Sequence, residues 1–190
     1  MINLKDPFIF FSLLVFFNAI AYGLNIFISM FYNKIINFKT YISKQENLSS
    51  LLTLFMTIVV AIPGFILWQK EIITFSNSNF WITFIGLIFL IDFVMYISHW
   101  ISHNVTYLKK IHALHHEHSK QFNNVSLYYI SIWESLFFGT LLTLLAILFN
   151  MNIYGFISFL IFNWLYVVIS HLNIITNRSN ILILQQFFFI

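Results

Sequence analysis

The sequence predicts an all-α fold, a polytopic membrane helical bundle of about five transmembrane spans with a histidine-rich face on one side. Three observations predict it. Only 8% of the 190 residues are charged while 60% are hydrophobic, against a charged share of roughly a quarter in soluble globular domains, so the chain lacks the charges to clothe itself in water. The apolar residues run in stretches that match the ~30 Å hydrocarbon core, which takes about 20 helical residues to cross. Six of the seven histidines fall between His99 and His118. A compositional bias toward Ile and Phe would raise the apolar count, but it would not clear charges from whole spans.

The spans are placed near 8 to 32, 51 to 68, 80 to 100, 127 to 149 and 153 to 170. The first begins at Phe8 behind Lys5 and shows no small-x-small cleavage pattern, so it reads as a retained span. Between the spans lie the polar stretch Asn33 to Ser50, the link Gln69 to Asn79, the histidine-rich loop Ser102 to Ser126 and the Asn150-Met151-Asn152 turn. No internal repeat or low-complexity linker divides the chain, and residues 1–190 are expected to form a single membrane domain.

Orientation follows from the basic residues, which are retained on the cytoplasmic side during insertion. With five spans, Lys34, Lys39, Lys44, Lys109, Lys110, Lys120 and Arg178 share one side, and only Lys5 and Lys70 fall on the other. The histidine loop is therefore expected to face the cytoplasm, and the same count puts His171 on that side. A short chain without retention signals fits a bacterial inner membrane. The formal charge of +3 is spread over loops, without the clustered basic face that nucleic-acid binding needs. Cysteine is absent, which excludes disulfides, thiolate-ligated haem and cysteine-bound iron–sulfur clusters within this chain.

In the third span, Asp92, Tyr96, His99 and His103 fall within a helical sector of roughly 60° at about 100° per residue. Two imidazoles at i and i+4 can bind one metal, with a carboxylate or phenol on the same face to orient them. Nine residues after His103, the run His112-Ala113-Leu114-His115-His116 puts three rings on one face at i, i+3 and i+4; His118 lies off that face. A single intramembrane histidine is more often a satisfied hydrogen-bonding group. Five rings in two sets are costly to bury near the interface unless paired or ligated, and they point to metal binding. Neutral imidazole suits iron, zinc, copper or nickel alike.

The string Asp-x-x-x-Tyr-x-x-His-x-x-x-His followed by His-x-x-His-His resembles the fatty acid hydroxylase and sterol desaturase superfamily of membrane histidine-box di-iron oxygenases. Ser170-His171-Leu172-Asn173-Ile174 is similar to that family's His-x-Asn-Ile element, so the likeness spans residues 92–174. It implies His99, His103, His112, His115, His116 and His171 as metal ligands and catalytic residues, with Asp92, Tyr96 and Glu134 supporting them. It implies a di-iron cofactor, with zinc a possible substitute, and a reaction in which O2 is used to hydroxylate or desaturate a C–H bond of a membrane lipid. Electrons would come from a separate reductase, ferredoxin or cytochrome.

Two departures from the family pattern bear on activity. Trp100 stands where the family often has Arg, and no histidine follows His171 where a final His-x-x-His-His box is expected, so a C-terminally truncated histidine-box region is anticipated. The alternative is a non-catalytic membrane protein, a degenerate relative with a structural zinc site.

Overall fold

A computed structural model of the protein describes residues 3–116 and 123–172, with the side chains of 113–116 left out of that description. The described residues form six helices: α1 (Pro7–Ile35), α2 (Lys44–Gln69), α3 (Phe80–Asn104), α4 (Thr106–His116), α5 (Ile132–Leu148) and α6 (Ile153–Ser170). A single 3-10 turn, Ser126–Tyr128, precedes α5. Among the described residues no strand forms; Phe75 and Met151 make one isolated bridge.

Helix starts are set by short polar side chains that accept hydrogen bonds from otherwise unpaired backbone N–H groups. Asp6, Ser43, Asn79, Ser131 and Asn152 each cap the helix that follows. Four helices, α1, α2, α3 and α6, are long and apolar enough to cross a membrane. The fifth, α5, is an apolar helix of 17 residues, about 25 Å at 1.5 Å per residue. The protein is an integral membrane helical bundle.

Element boundaries differ from the sequence expectation in three places, each for a local reason. The second helix starts at Lys44, seven positions before residue 51, because Ser43 and Glu46 form a capping box inside the polar stretch. The loop after the third span contains α4, so both histidine boxes lie on helices. The fourth span begins at Ile132 instead of 127: the 3-10 turn occupies the expected first turn, and a second capping box between Ser131 and Glu134 fixes the start.

Contacts at the helix ends define the topology. The start of α1 meets the end of α2 through Lys5 and Glu71 (3.4 Å) and through Gln69 Nε2 donating to Lys5 O (3.0 Å). The start of α3 meets the start of α6, where Asn152 N donates to Thr83 Oγ1 at 3.0 Å. Consequently α3 and α6 run parallel, and the pairs Val60–Gly139 and Thr143–Gly64 show that α2 and α5 do as well. The ends of α1, α3 and α6, the starts of α2 and α5, and all of α4 gather at one end of the bundle.

Small residues allow the parallel pairs to approach closely, as in other membrane helix interfaces. A Cβ on Gly139 would overlap the Val60 side chain, and one on Gly155 would lie 2.8 Å from Phe80 O. At the end remote from the histidines, Leu87, Ile91, Leu145, Met151 and Phe159 form a buried apolar cluster.

The segment entering α5 is held by a buried polar latch. Asn25 Nδ2 donates to Asn124 O at 2.9 Å, Asn33 Nδ2 to Asn124 Oδ1 at 3.0 Å, and Asn123 Nδ2 to Glu46 Oε1 at 2.6 Å. Asn25, Asn33, Glu46, Asn123 and Asn124 are all buried. Their mutual pairing satisfies groups that would otherwise cost several kcal/mol in an apolar setting.

The α2–α5 contact gives a direct test. Gly139→Ala is expected to lower stability by about 1–3 kcal/mol through overpacking, read as reduced thermal unfolding temperature in detergent. Val60→Ala keeps its Cβ and should not relieve the loss, whereas in a Val60→Gly background the Gly139→Ala penalty should largely vanish. A full penalty in that background would show that the two backbones do not meet at this point.

Candidate metal centre

Two helices joined by one extended residue build the centre. Val105, at φ −98° and ψ 115°, interrupts the helical path between α3 and α4, and the chain turns so that α4 packs back on α3. The fold-back brings His112 of α4 against His99 and His103 of α3. Ring centroids lie 4.5 Å apart for His99 and His103, 4.8 Å for His99 and His112, and 5.2 Å for His103 and His112. One ring nitrogen from each can be chosen so that all three lie within 4.8 Å of one another.

Such spacing fits a metal ion. Imidazole nitrogens bind transition metals at about 2.0–2.1 Å, which places two ligands of one ion no more than roughly 4.2 Å apart. Small ring rotations bring the observed set within that range. The donor set is all nitrogen, a chemistry shared by zinc, copper, nickel and non-haem iron sites.

His112 is oriented from α5. Its Nδ1 lies 2.7 Å from Glu134 Oε1, with side-chain exposures of 12% and 16%. A carboxylate oxygen is an acceptor, so Nδ1 carries the proton, and the other ring nitrogen is left with its lone pair for a metal. This is the usual outer partnership of metal-binding histidines, and it raises ligand basicity. The second oxygen, Glu134 Oε2, accepts from Ser131 N at 3.0 Å. One side chain therefore both caps α5 and holds an imidazole.

His171 caps the end of α6. Its Nδ1 donates to Val167 O at 2.8 Å, with Ser170 Oγ at 3.1 Å, which again leaves Nε2 with the lone pair. Burial pushes the His171 imidazole below the usual histidine range, outweighing the opposite pull of the Val167 carbonyl, so the ring is neutral near pH 7. His171 is not part of the three-histidine group. Parallel packing nevertheless carries it to the same end: Tyr166 of α6 lies within electrostatic reach of Asp92 of α3, and five residues beyond each come His171 and Ile97, the latter two positions before His99.

The other sequence-predicted positions divide plainly. His115 and His116 have helical backbone on α4, and their side chains lie outside the described residues, as do His118, Lys120 and Arg178 altogether. Asp92 and Tyr96 share the α3 face with His99 but are exposed, and among the described residues neither hydrogen-bonds an imidazole. Sequence reasoning missed the latch of Asn25, Asn33, Glu46, Asn123 and Asn124. Its trace was present in Asn25, Ser29 and Asn33, polar residues at intervals of four within an otherwise apolar first span.

A membrane helical bundle with an imidazole cluster at one end, two of its histidines on one helix and a third folded back from the next, defines the class of membrane histidine-box proteins. A family model described as fatty acid hydroxylase matches residues 84–189. The chain belongs to the fatty acid hydroxylase family, within the fatty acid hydroxylase and sterol desaturase superfamily. No curated protein and no solved structure matches it. Members of the family are typically iron-dependent membrane oxygenases that act on lipids with O2.

Removing the carboxylate behind His112 tests the centre. Glu134→Gln has one acceptor oxygen, which can serve Ser131 N or His112 Nδ1 but not both, and it loses the charge, while Glu134→Ala loses the cap, the acceptor and the charge together. In a cobalt titration of the metal-free protein, affinity is expected to fall about 10–100-fold for Glu134→Ala, with Glu134→Gln between it and the parent. Unchanged affinity in both variants would separate Glu134 from the metal site.

Proposed function

We propose that the protein is a membrane lipid oxygenase that holds iron at His99, His103, His112, His115, His116 and His171 and uses O2 to hydroxylate or desaturate a lipid C–H bond. The observation that carries this reading is the convergence of three imidazoles from α3 and α4, with ring nitrogens within 4.8 Å, inside the segment matched by the family model. Bound iron would supply the oxygen-activating chemistry. The chain supplies ligand geometry, with His112 fixed by Glu134 and the His171 tautomer fixed by Val167.

The site lies at the end of the bundle that also carries Lys34, Lys39, Lys44, Lys109 and Lys110, which supports a cytoplasmic placement by the distribution of basic residues. A lipid reaches it laterally from the bilayer. The electron donor is a separate protein, since a chain without cysteine holds no thiolate-ligated cluster or haem of its own. We take residues 1–190 as one membrane domain, with 92–174 as its histidine-box region.

Metal content decides between this reading and a structural zinc site. Protein purified with its native metal is expected to carry up to two irons per chain and little zinc, and His112→Ala and His115→Ala should each lose iron while remaining folded by circular dichroism. A single zinc per chain, held tightly with no iron, would exclude the oxygenase.

A further inference from the structure

The three exposed tryptophans of the described residues all stand near helix ends. Trp81 is the second residue of α3 and Trp100 the fifth from its end, 61% and 59% exposed, and Trp133 is the second residue of α5 at 64%. Exposed phenylalanines behave differently: Phe16, Phe55, Phe89 and Phe93 lie well inside the spans. A tryptophan ring prefers the membrane–water interface, where its apolar body meets lipid and its N–H meets water, so these positions mark the two faces of the bilayer.

Their spacing agrees with that assignment. Nineteen residues separate Trp81 from Trp100, about 28 Å along a helix axis, close to the ~30 Å thickness of the hydrocarbon core. Gly155 packs on Phe80, which puts the exposed Tyr154 at the level of Trp81. At the histidine end, Trp133 precedes Glu134, the partner of His112, and so stands level with the imidazoles. The helix α4 continues the same plane: Tyr107, Lys109 and Lys110 are exposed while Leu108, Ile111 and His112 turn inward, the pattern of a helix lying along an interface. The cluster therefore sits at the boundary. His99 is next to Trp100, His103 lies one turn beyond it toward water, and His112 packs against both.

At that level a bilayer holds polar heads and the first carbons of its chains, while chain ends lie about 15 Å below, at the centre. With C–C bonds of about 1.5 Å, one helical turn below Trp100, about 5.4 Å, takes in roughly four carbons of an extended chain. Resting on the oxygenase reading above, we infer that the substrate is a lipid with a polar head and that the carbon oxidised lies within roughly four carbons of that head. Hydroxylation there converts C–H to C–OH with one atom of O2, and the other atom leaves as water with two protons and two electrons from the separate donor. Desaturation takes hydrogen from that carbon and its neighbour, and O2 leaves as two waters with the same protons and electrons. A hydrocarbon without a head collects between the leaflets and does not reach the cluster.

The test uses the full chain in phosphatidylcholine nanodiscs. Because the chain has no cysteine, Ile101→Cys and Phe89→Cys, both at exposed positions of α3, each take a single nitroxide, whose depth is read from its relaxation by O2 against a nickel chelate. The Ile101→Cys label is expected in the headgroup layer, roughly 5–7 Å thick, and the Phe89→Cys label about 18 Å deeper. An Ile101→Cys label lying a helical turn or more inside the hydrocarbon overturns the inference. Cobalt bound to the unlabelled protein then reports which lipid atoms the cluster meets. Its relaxation of lipid protons should peak at the headgroup and first chain carbons, with the terminal methyls, about 15 Å deeper, relaxed about a tenth as strongly or less. A peak at mid-chain or at the methyls overturns the inference. The two readings fail separately. Labels at the stated depths with no cobalt effect, or with one that His99→Ala leaves unchanged, remove the metal reading and the substrate with it. Oxidised lipid from iron-loaded protein, given reductant and O2, that carries its oxygen at mid-chain or beyond removes this inference alone.

Discussion

The hydrogen bond from His112 Nδ1 to Glu134 Oε1, 2.7 Å long and largely shielded from solvent, ties the metal-binding end of the bundle together. α4 leaves α3 through one extended residue and folds back on it, and the bond to Glu134 holds it to α5 as well. Glu134 supplies that hold from a fixed position, because its other oxygen and its backbone N–H are committed to the Ser131 cap. Rotating the carboxylate to release His112 would also disturb the cap. The imidazole is thereby oriented before any metal arrives, and an ordered ligand gives up less conformational entropy on binding.

The same logic explains why so many polar groups lie inside so apolar a protein. In hydrocarbon a polar side chain cannot fall back on water, so each must be paired within the fold or face something that pairs with it. Asn25, Asn33, Asn123, Asn124 and Glu46 are paired with each other. His112 and Glu134 are paired across helices, and His171 is bound to its own helix end. The latch and the histidines occupy the same end of the bundle, and the latch fixes the start of the segment that carries Glu134. Burying the latch stabilises the fold while determining where the ligand's partner stands.

Much of this was readable from periodicity and composition. The two histidine boxes each follow a helical repeat, and the structure places both on helices, α3 and α4. The apolar stretches gave the helices to within a few residues except where capping boxes intervened, at Ser43 with Glu46 and at Ser131 with Glu134. Those boxes were visible as short polar patterns, but an apolar window does not weigh them. The fold-back at Val105 was not legible: an ordinary β-branched residue carries no turn signal. Nor was the pairing of Asn123 and Asn124 with residues of α1 and α2: Asn25, Ser29 and Asn33 mark a polar face on α1, but nothing local names partners 77 to 99 positions away.

Parallel packing of α3 on α6 has a consequence for chemistry at the bundle end. Phe80 and Thr83 set the α3 register against Gly155, where a side chain larger than hydrogen has no room. That register sets Tyr166 within electrostatic reach of Asp92 and, five residues further, carries His171 toward the level of His99. A shift of one turn, about 5.4 Å, would uncouple both relationships at once. Close helix contact at the end remote from the histidines thus fixes the depth at which Tyr166 and His171 stand relative to the cluster. The distance between the mid-membrane carboxyl and the imidazoles is fixed within α3 itself, because one rigid helix carries Asp92, His99 and His103.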